Sequence, residues 1–183
     1  MDIPYLFTKT LALITLFGNV FAAALLLSYF LSRPLFDRAF AFLGKWALQL
    51  GFVITTASTV GSLIYSEVVG FPACILCWIQ RLFMYPQMFL FGLALWRKER
   101  MIMAYTMLLS VIGGGVGVYH WTKDMLSLYS DVALPCPAVS LLPSCDKIYV
   151  LEYGYITIPM ISLNAFIWII IVMYAGMRRA SND

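Results

Sequence analysis

Long apolar runs set the pattern of this chain. Residues 11 to 31 carry no charged side chain, and about 21 such residues in a helix cross a hydrocarbon core of ~30 Å. A first membrane span is expected there. Lys9 precedes the run as a secretory leader would require, but the run exceeds the ~7–15 apolar residues of a leader and no small-x-small cleavage pattern follows. The segment is therefore expected to be retained. Arg33-Pro34 ends it, and Arg33, Arg38 and Lys45 dress the connection that follows. A second run, Trp46 to Ser66, contains Gly51, Thr55, Ser58, Thr59, Gly61 and Ser62, small residues that let membrane helices approach closely. Glu67 to Ala73 turns the chain into a third span, Ile75 to Trp96. This span holds Gln80, Arg81, Pro86 and Gln87. Pro86 leaves the carbonyl of Leu82 without its helical donor and is expected to kink the helix, while the two glutamines, seven positions apart, point the same way into the bundle.

The fourth span, Ile102 to Tyr119, contains Gly113 and Gly117 as a GxxxG step, and His120 stands at its end. From 121 to 135, Trp121, Met125, Leu128, Tyr129 and Val132 recur at helical spacing with Lys123, Asp124, Ser127 and Asp131 between them. That pattern predicts a short amphipathic helix lying on the membrane surface. Pro135-Cys136-Pro137 and Pro143-Ser144-Cys145 mark an irregular loop, closed by Lys147 to Tyr155, and the last span runs from Ile156 to about Met177, stopped by Arg178-Arg179. The expected fold is all-α and polytopic: one membrane domain over 1–183, with five spans and no internal repeat.

Composition excludes a water-soluble domain, since 62% of residues are hydrophobic and only 11% charged. The net charge of +3 is sorted by connection. Arg33, Arg38, Lys45, Arg97, Lys98, Arg100, Arg178 and Arg179 fall on one side, against Lys9, Lys123 and Lys147 on the other. Under the positive-inside rule this puts the N-terminus outside and the C-terminus in the cytoplasm. The basic residues thus report topology and a lipid bilayer, with no nucleic-acid partner. Both cysteine pairs fall on the outer side, which suits an oxidising compartment.

Cys74 and Cys77, at i and i+3, can meet in the first turn of the third helix, where unpaired N–H groups and the helix dipole favour a thiolate. Arg81 follows at i+4 from Cys77, on the same face if the helix is regular, about 10 Å below Cys74. A guanidinium at that depth either snorkels or faces an anionic or strongly polar partner. Cys136 and Cys145 enclose eight residues. They fit a structural staple worth roughly 2.5–3 kcal/mol in the entropy model, or an accessible disulfide poised for thiol exchange with the first pair. A zinc site made of the four cysteines is a further reading, weakened by the loose second spacing. His120 fits an interfacial hydrogen-bonding residue or the border of a pocket shared with Cys77 and Arg81. Electrons leaving a dithiol need an acceptor, and the chain has neither a haem motif nor a nucleotide-binding glycine signature. A quinone from the bilayer answers that need, its developing charge stabilised by Arg81.

Cys74-Ile-Leu-Cys-Trp-Ile-Gln-Arg81 resembles the C-x-L-C-x-x-Q-R signature of the bacterial disulfide bond formation protein B (DsbB) family, in particular its compact BdbC-like branch. Tyr119-His120-Trp121, Pro135-Cys136 with Cys145, and Gly154 to Pro159 match that family in the same order, over about residues 45 to 176. The resemblance implies a four-helix-bundle core, to which the span at 11–31 is extra, in the bacterial cytoplasmic (inner) membrane. It implies a thiol oxidase that reoxidises a DsbA-like thioredoxin-fold partner and passes electrons to ubiquinone or menaquinone. By motif, Cys136 takes the partner's attack, Cys145 then attacks Cys74, and Cys77 meets the quinone, with Arg81, His120 and Gln80 lining its site. The vitamin K epoxide reductase type, which also sets C-x-x-C near a quinone, is the second resemblance, with the motif elsewhere in the helix order.

Overall fold

The computed structural model describes residues 3–130, 132, 134–136 and 143–181. It is an all-α membrane protein. Helix α1 (Ile3–Leu31) is followed by α2 (Arg33–Lys45), α3 (Ala47–Leu63), α4 (Ile75–Arg97), α5 (Ile102–Tyr129) and α6 (Ile158–Ala180). Four segments, Pro4–Leu31, Ala47–Val68, Ile102–Tyr129 and Ile158–Ala180, are long and apolar enough to cross a membrane. The expected third span, α4, is not among them. Its 23 residues have the length of a span, but Gln80, Arg81 and Gln87 lower its hydropathy. It packs against both α3 and α5, which is how a polar helix is accommodated in a bundle.

Three local features differ from the pattern-based expectation. The connection after Arg33-Pro34 is itself a helix. Proline in the first helical turn lacks only an N–H that would be unpaired anyway, and Phe36, Phe40 and Leu43, at i, i+4 and i+7, pack α2 into the core beside α6. The end of α3 widens into a π-turn over Ile64–Val68, and Gly70, at φ 79°, lets the chain reverse toward Cys74. Finally, the segment from Trp121 is helical as expected but forms no separate surface helix. It continues α5 without a break to Tyr129, since no proline or turn residue interrupts it. Lys123 and Asp124, expected on its wet face, are buried instead. Asp131 of that segment and Pro137 of the following loop lie outside the described residues.

The bundle closes through small residues set against rings. Phe91, Phe166, Ile169 and Met173 are wholly buried. A Cβ added at Gly51 would meet the Phe91 ring at 2.8 Å, and one at Gly113 would meet the Phe166 ring at 2.5 Å. Gly117 lies one turn further along the same face, over Leu163, so the glycine step of α5 does seat α6. Gly113→Ala is expected to destabilise the protein by roughly 1–3 kcal/mol through overpacking. Gly115→Ala, where nothing lies within 4 Å, should be neutral or slightly stabilising because alanine favours the helix. Thermal unfolding in detergent reads both; equal losses would show that the close approach at Gly113 is not what fixes the α5–α6 seat.

Candidate active site

Cys74 is the N-cap of α4, with extended backbone (φ −74°, ψ 173°) and a carbonyl that accepts from the Trp78 N–H at 3.0 Å. Its thiol lies 3.3 Å from that of Cys77, one helical turn on. Cys74 is buried and Cys77 partly so. His120 approaches from α5. Its Nδ1 accepts from the Gln80 side-chain amide at 3.1 Å, which puts the ring N–H on Nε2, facing the Cys74 sulfur at 3.9 Å. Gln80 therefore orients the imidazole, a role that its place among the helix polar residues did not reveal.

The second pair is joined as the Cys136–Cys145 disulfide. Cys74, Leu76 and Cys145 form one buried cluster, against which Cys77 and Cys136 pack. Both pairs thus sit in contact at the end of the bundle where α4 begins. The two cysteines of the disulfide differ in access: Cys145 is buried, whereas Cys136 is half-buried beside exposed Pro135. The disulfide removes two of the four thiols a four-cysteine zinc site would need. Among the described residues, Cys74, Cys77 and His120 bring their donor atoms within 4.8 Å of one another.

The outer end of α5 holds this loop from several sides. The Lys123 ammonium, 2% exposed, donates to the Cys145 carbonyl at 3.1 Å and to the Asp146 carboxylate at 2.6 Å. One turn earlier, the Tyr119 hydroxyl donates to the Pro135 carbonyl. Trp121 Nε1 and the Tyr129 hydroxyl donate to the carbonyls of Tyr155 and Gly154, at 2.9 and 2.7 Å, fixing the turn that opens α6. The Lys123 ammonium, and after it the Ser144 hydroxyl, hold the Asp146 carboxyl below the usual carboxylate range. Lys123 and Asp124 are the residues the sequence reading missed as part of the site. The available signal was their spacing at i+3 and i+4 from His120 on an uninterrupted helical pattern.

Beneath the cysteines lies a cavity of about 490 Å³, within the range of small-molecule sites. Cys74, Cys77, Gln80, Arg81, His120 and Cys145 all line it, so six of the seven candidate residues converge there; Cys136 does not border it. Arg81 finds strongly polar but neutral partners. Its Nε donates to the Ser62 hydroxyl at 2.9 Å and a terminal nitrogen to the Ser62 carbonyl at 3.0 Å, while the guanidinium stands 5.1 Å from the centre of the Trp78 ring. Those bonds use two of the five N–H donors of a guanidinium. Further in, the walls are mostly apolar, with Ile54, Ala57, Met84 and Ala165 among them.

The family model for disulfide bond formation protein DsbB matches residues 44–176. Among curated proteins, the chain is 32% identical over 134 residues to the probable disulfide formation protein C of Bacillus cereus (strain ATCC 14579), covering 73% of this chain and 94% of that protein. It is 34% identical over 126 residues to the disulfide bond formation protein C of Bacillus subtilis (strain 168), covering 69% and 88%. It is 30% identical over 147 residues to a probable disulfide formation protein of Coxiella burnetii (strain CbuK_Q154), covering 78% and 98%. No solved structure matches the chain significantly. With its paired cysteines, its membrane helices and this match over most of its length, the chain belongs to the disulfide bond formation protein DsbB family and is a membrane protein-disulfide oxidoreductase.

Proposed function

We propose that the protein reoxidises a thioredoxin-fold dithiol partner outside the bacterial cytoplasmic membrane and passes the electron pair, through its two cysteine pairs, to a membrane quinone. The observation that carries this reading is the contact between both pairs at the mouth of a largely apolar cavity that also holds Arg81. The basic residues of the connections orient the N-terminus and the cysteines outward, as the charge rule requires.

The difference in access between Cys136 and Cys145 supports one order of exchange. A partner thiolate attacks the half-buried Cys136 sulfur; the Cys136–Cys145 bond breaks and the electron pair leaves on Cys145. That thiolate lies in the Cys74 cluster, so it attacks the Cys74 sulfur of an oxidised Cys74–Cys77 pair, forming Cys74–Cys145 and releasing Cys77 as thiolate. The partner's second thiol then displaces Cys136, which attacks Cys145, restoring Cys136–Cys145 and releasing Cys74. The net change is one partner dithiol oxidised and the Cys74–Cys77 disulfide reduced. His120, with Nε2–H toward Cys74, steadies the negative sulfur as it departs.

The cavity suits a quinone ring: apolar walls, hydrogen-bond donors and an arginine that has no anionic partner among the described residues. A bound quinone supplies acceptance of two electrons and two protons. Arg81, Gln80 and His120 are the polar groups that would border it, Cys77 being the sulfur one helix turn above Arg81. The Arg81 charge, fixed by Ser62, is preorganised for developing negative charge in a water-poor slot.

Two outcomes test this reading. Arg81→Ala should lower turnover at limiting quinone by about 100-fold while thiol exchange between the cysteine pairs stays intact; unchanged turnover would remove Arg81 from the mechanism. Lys123→Met should slow transfer from Cys145 to Cys74 by roughly ten- to a hundredfold, because a small displacement of a reacting group has a cost of that order. A normal rate of single-turnover exchange in that variant would show that the Cys145 carbonyl needs no anchor. The anchor also has a pH signature. A carboxylate whose folded value is lowered stabilises the fold above its unfolded range, and that contribution disappears as pH falls through the lowered value. The Tm difference between wild type and Asp146→Asn should therefore be present at neutral pH and close in acid, once the pH has fallen through the lowered value; a difference that persists there would exclude the ion pair as its source.

A further inference from the structure

Helix α1 lies outside the matched residues 44–176, and the relatives are matched over 88–98% of their own length by about three-quarters of this chain. The first span thus has no counterpart in them. It nevertheless borders the cavity: Leu11, Ile14, Thr15 and Gly18 line it together with Met84 and Ala57. These four lie at i, i+3, i+4 and i+7, one face of the helix. Away from that face, Leu13, Phe17 and Val20 are exposed.

The placement is built rather than loose. At the outer end Lys9 pairs with Glu152, and the Phe7 ring meets the Tyr65 ring edge-on at 5.3 Å. At mid-depth Asn19 accepts from the Asn164 amide and donates to the Tyr155 hydroxyl at 3.3 Å, and Phe21 stacks on Trp168 at 5.5 Å. Gly18 makes this approach possible, since a Cβ there would stand 2.9 Å from Asn164 and 3.0 Å from Trp168. Polar pairs at membrane depth are expensive unless matched, and a matched amide pair fixes one register between helices. The wall formed by α1 runs about 10 Å along the axis from Leu11, beside Gly61 and so near the Ser62 that holds Arg81, to Gly18.

We infer that α1 is a tail-binding wall of the acceptor site, gripping the apolar isoprenoid tail of a lipid-soluble quinone between Leu11–Thr15 and the α6 face carrying Ala165 and Trp168, and so selecting acceptors by their tail. The inference rests on the quinone reading above. The ring's donors come from α4 and α5, whereas the tail's wall comes from α1, so the two recognitions separate by mutation. A groove open to lipid on this side would accept any tail or none; a closed one makes the tail part of recognition.

The test uses the whole protein with its cysteines oxidised and a quinone carrying a photoreactive group on its isoprenoid tail. Cross-links competed by unlabelled long-tailed quinone, but not by added phospholipid, should map by mass spectrometry to the peptide containing residues 11–18. Thr15→Phe and Leu11→Phe, which narrow the slot, should weaken binding of the long-tailed quinone roughly tenfold and leave binding of a tail-less quinone within about twofold. Phe17→Leu, on the lipid face, should change neither, and normal Tm values show that the variants fold. Competed labelling confined to α3–α6, labelling displaced equally by phospholipid, or variants that shift both quinones alike would overturn the role of α1. Absence of any quinone-competed label would instead overturn the quinone reading itself, and the inference with it.

Discussion

A buried ammonium must be paired, and the pairing of Lys123 is the constraint on which the outer end of this protein depends. Taking a lysine charge out of water has a cost of several kcal/mol that only good hydrogen-bonding geometry repays. Lys123 meets it with the carbonyl of Cys145 and the carboxylate of Asp146. Satisfying one side chain therefore fixes the backbone of a reactive cysteine. The same helix end places Tyr119 on the Pro135 carbonyl and His120 on Cys74. Neighbouring faces of α5 thus hold a loop disulfide and bring the His120 imidazole to a helix-cap thiol. Because α5 is seated on α6 by Gly113 and Gly117, the packing of the bundle core sets the alignment of sulfur atoms at its rim.

Below that cluster the design changes from exchange chemistry to a slot in the bilayer. Arg81 sits between the two. Its Ser62 bonds and the Trp78 face hold the guanidinium without neutralising it, so the charge persists where water is scarce. Ser62 itself stands just before the π-turn of α3 and also accepts from the Tyr85 hydroxyl. Irregular helix geometry of this kind is frequent at functional sites. Here it ends the membrane-crossing part of α3 and lets the following turn carry Cys74 to the start of α4.

The strongest features of the site were legible in the chain because they are local. The C-x-x-C spacing, Arg81 four residues on, and the glycine step of α5 each depend on one helix, and each is found where the pattern puts it. The bundle class follows as directly from the apolar runs. What the pattern did not reveal depends on contacts between distant segments. The polar stripe of 121–131 has the same sequence signature whether it faces water or a covering loop, and only residues 143–157 folding over it decide the matter for Lys123 and Asp124. The α2 helix was hidden behind Arg33-Pro34, where proline reads as a stop but serves as a start. The partner of Arg81 was equally invisible, since Ser62 is one small residue among several on α3.

Electron flow from an external dithiol to a membrane acceptor is the central claim, and one measurement addresses it directly. Purified protein in detergent is mixed with a reduced thioredoxin-fold partner and a long-tailed quinone, and quinone absorbance is followed alongside partner thiols. The account requires one quinone consumed for each partner dithiol oxidised, with consumption abolished by Cys77→Ser. Partner oxidation that proceeds without quinone loss, or quinone loss that survives removal of Cys77, would contradict it.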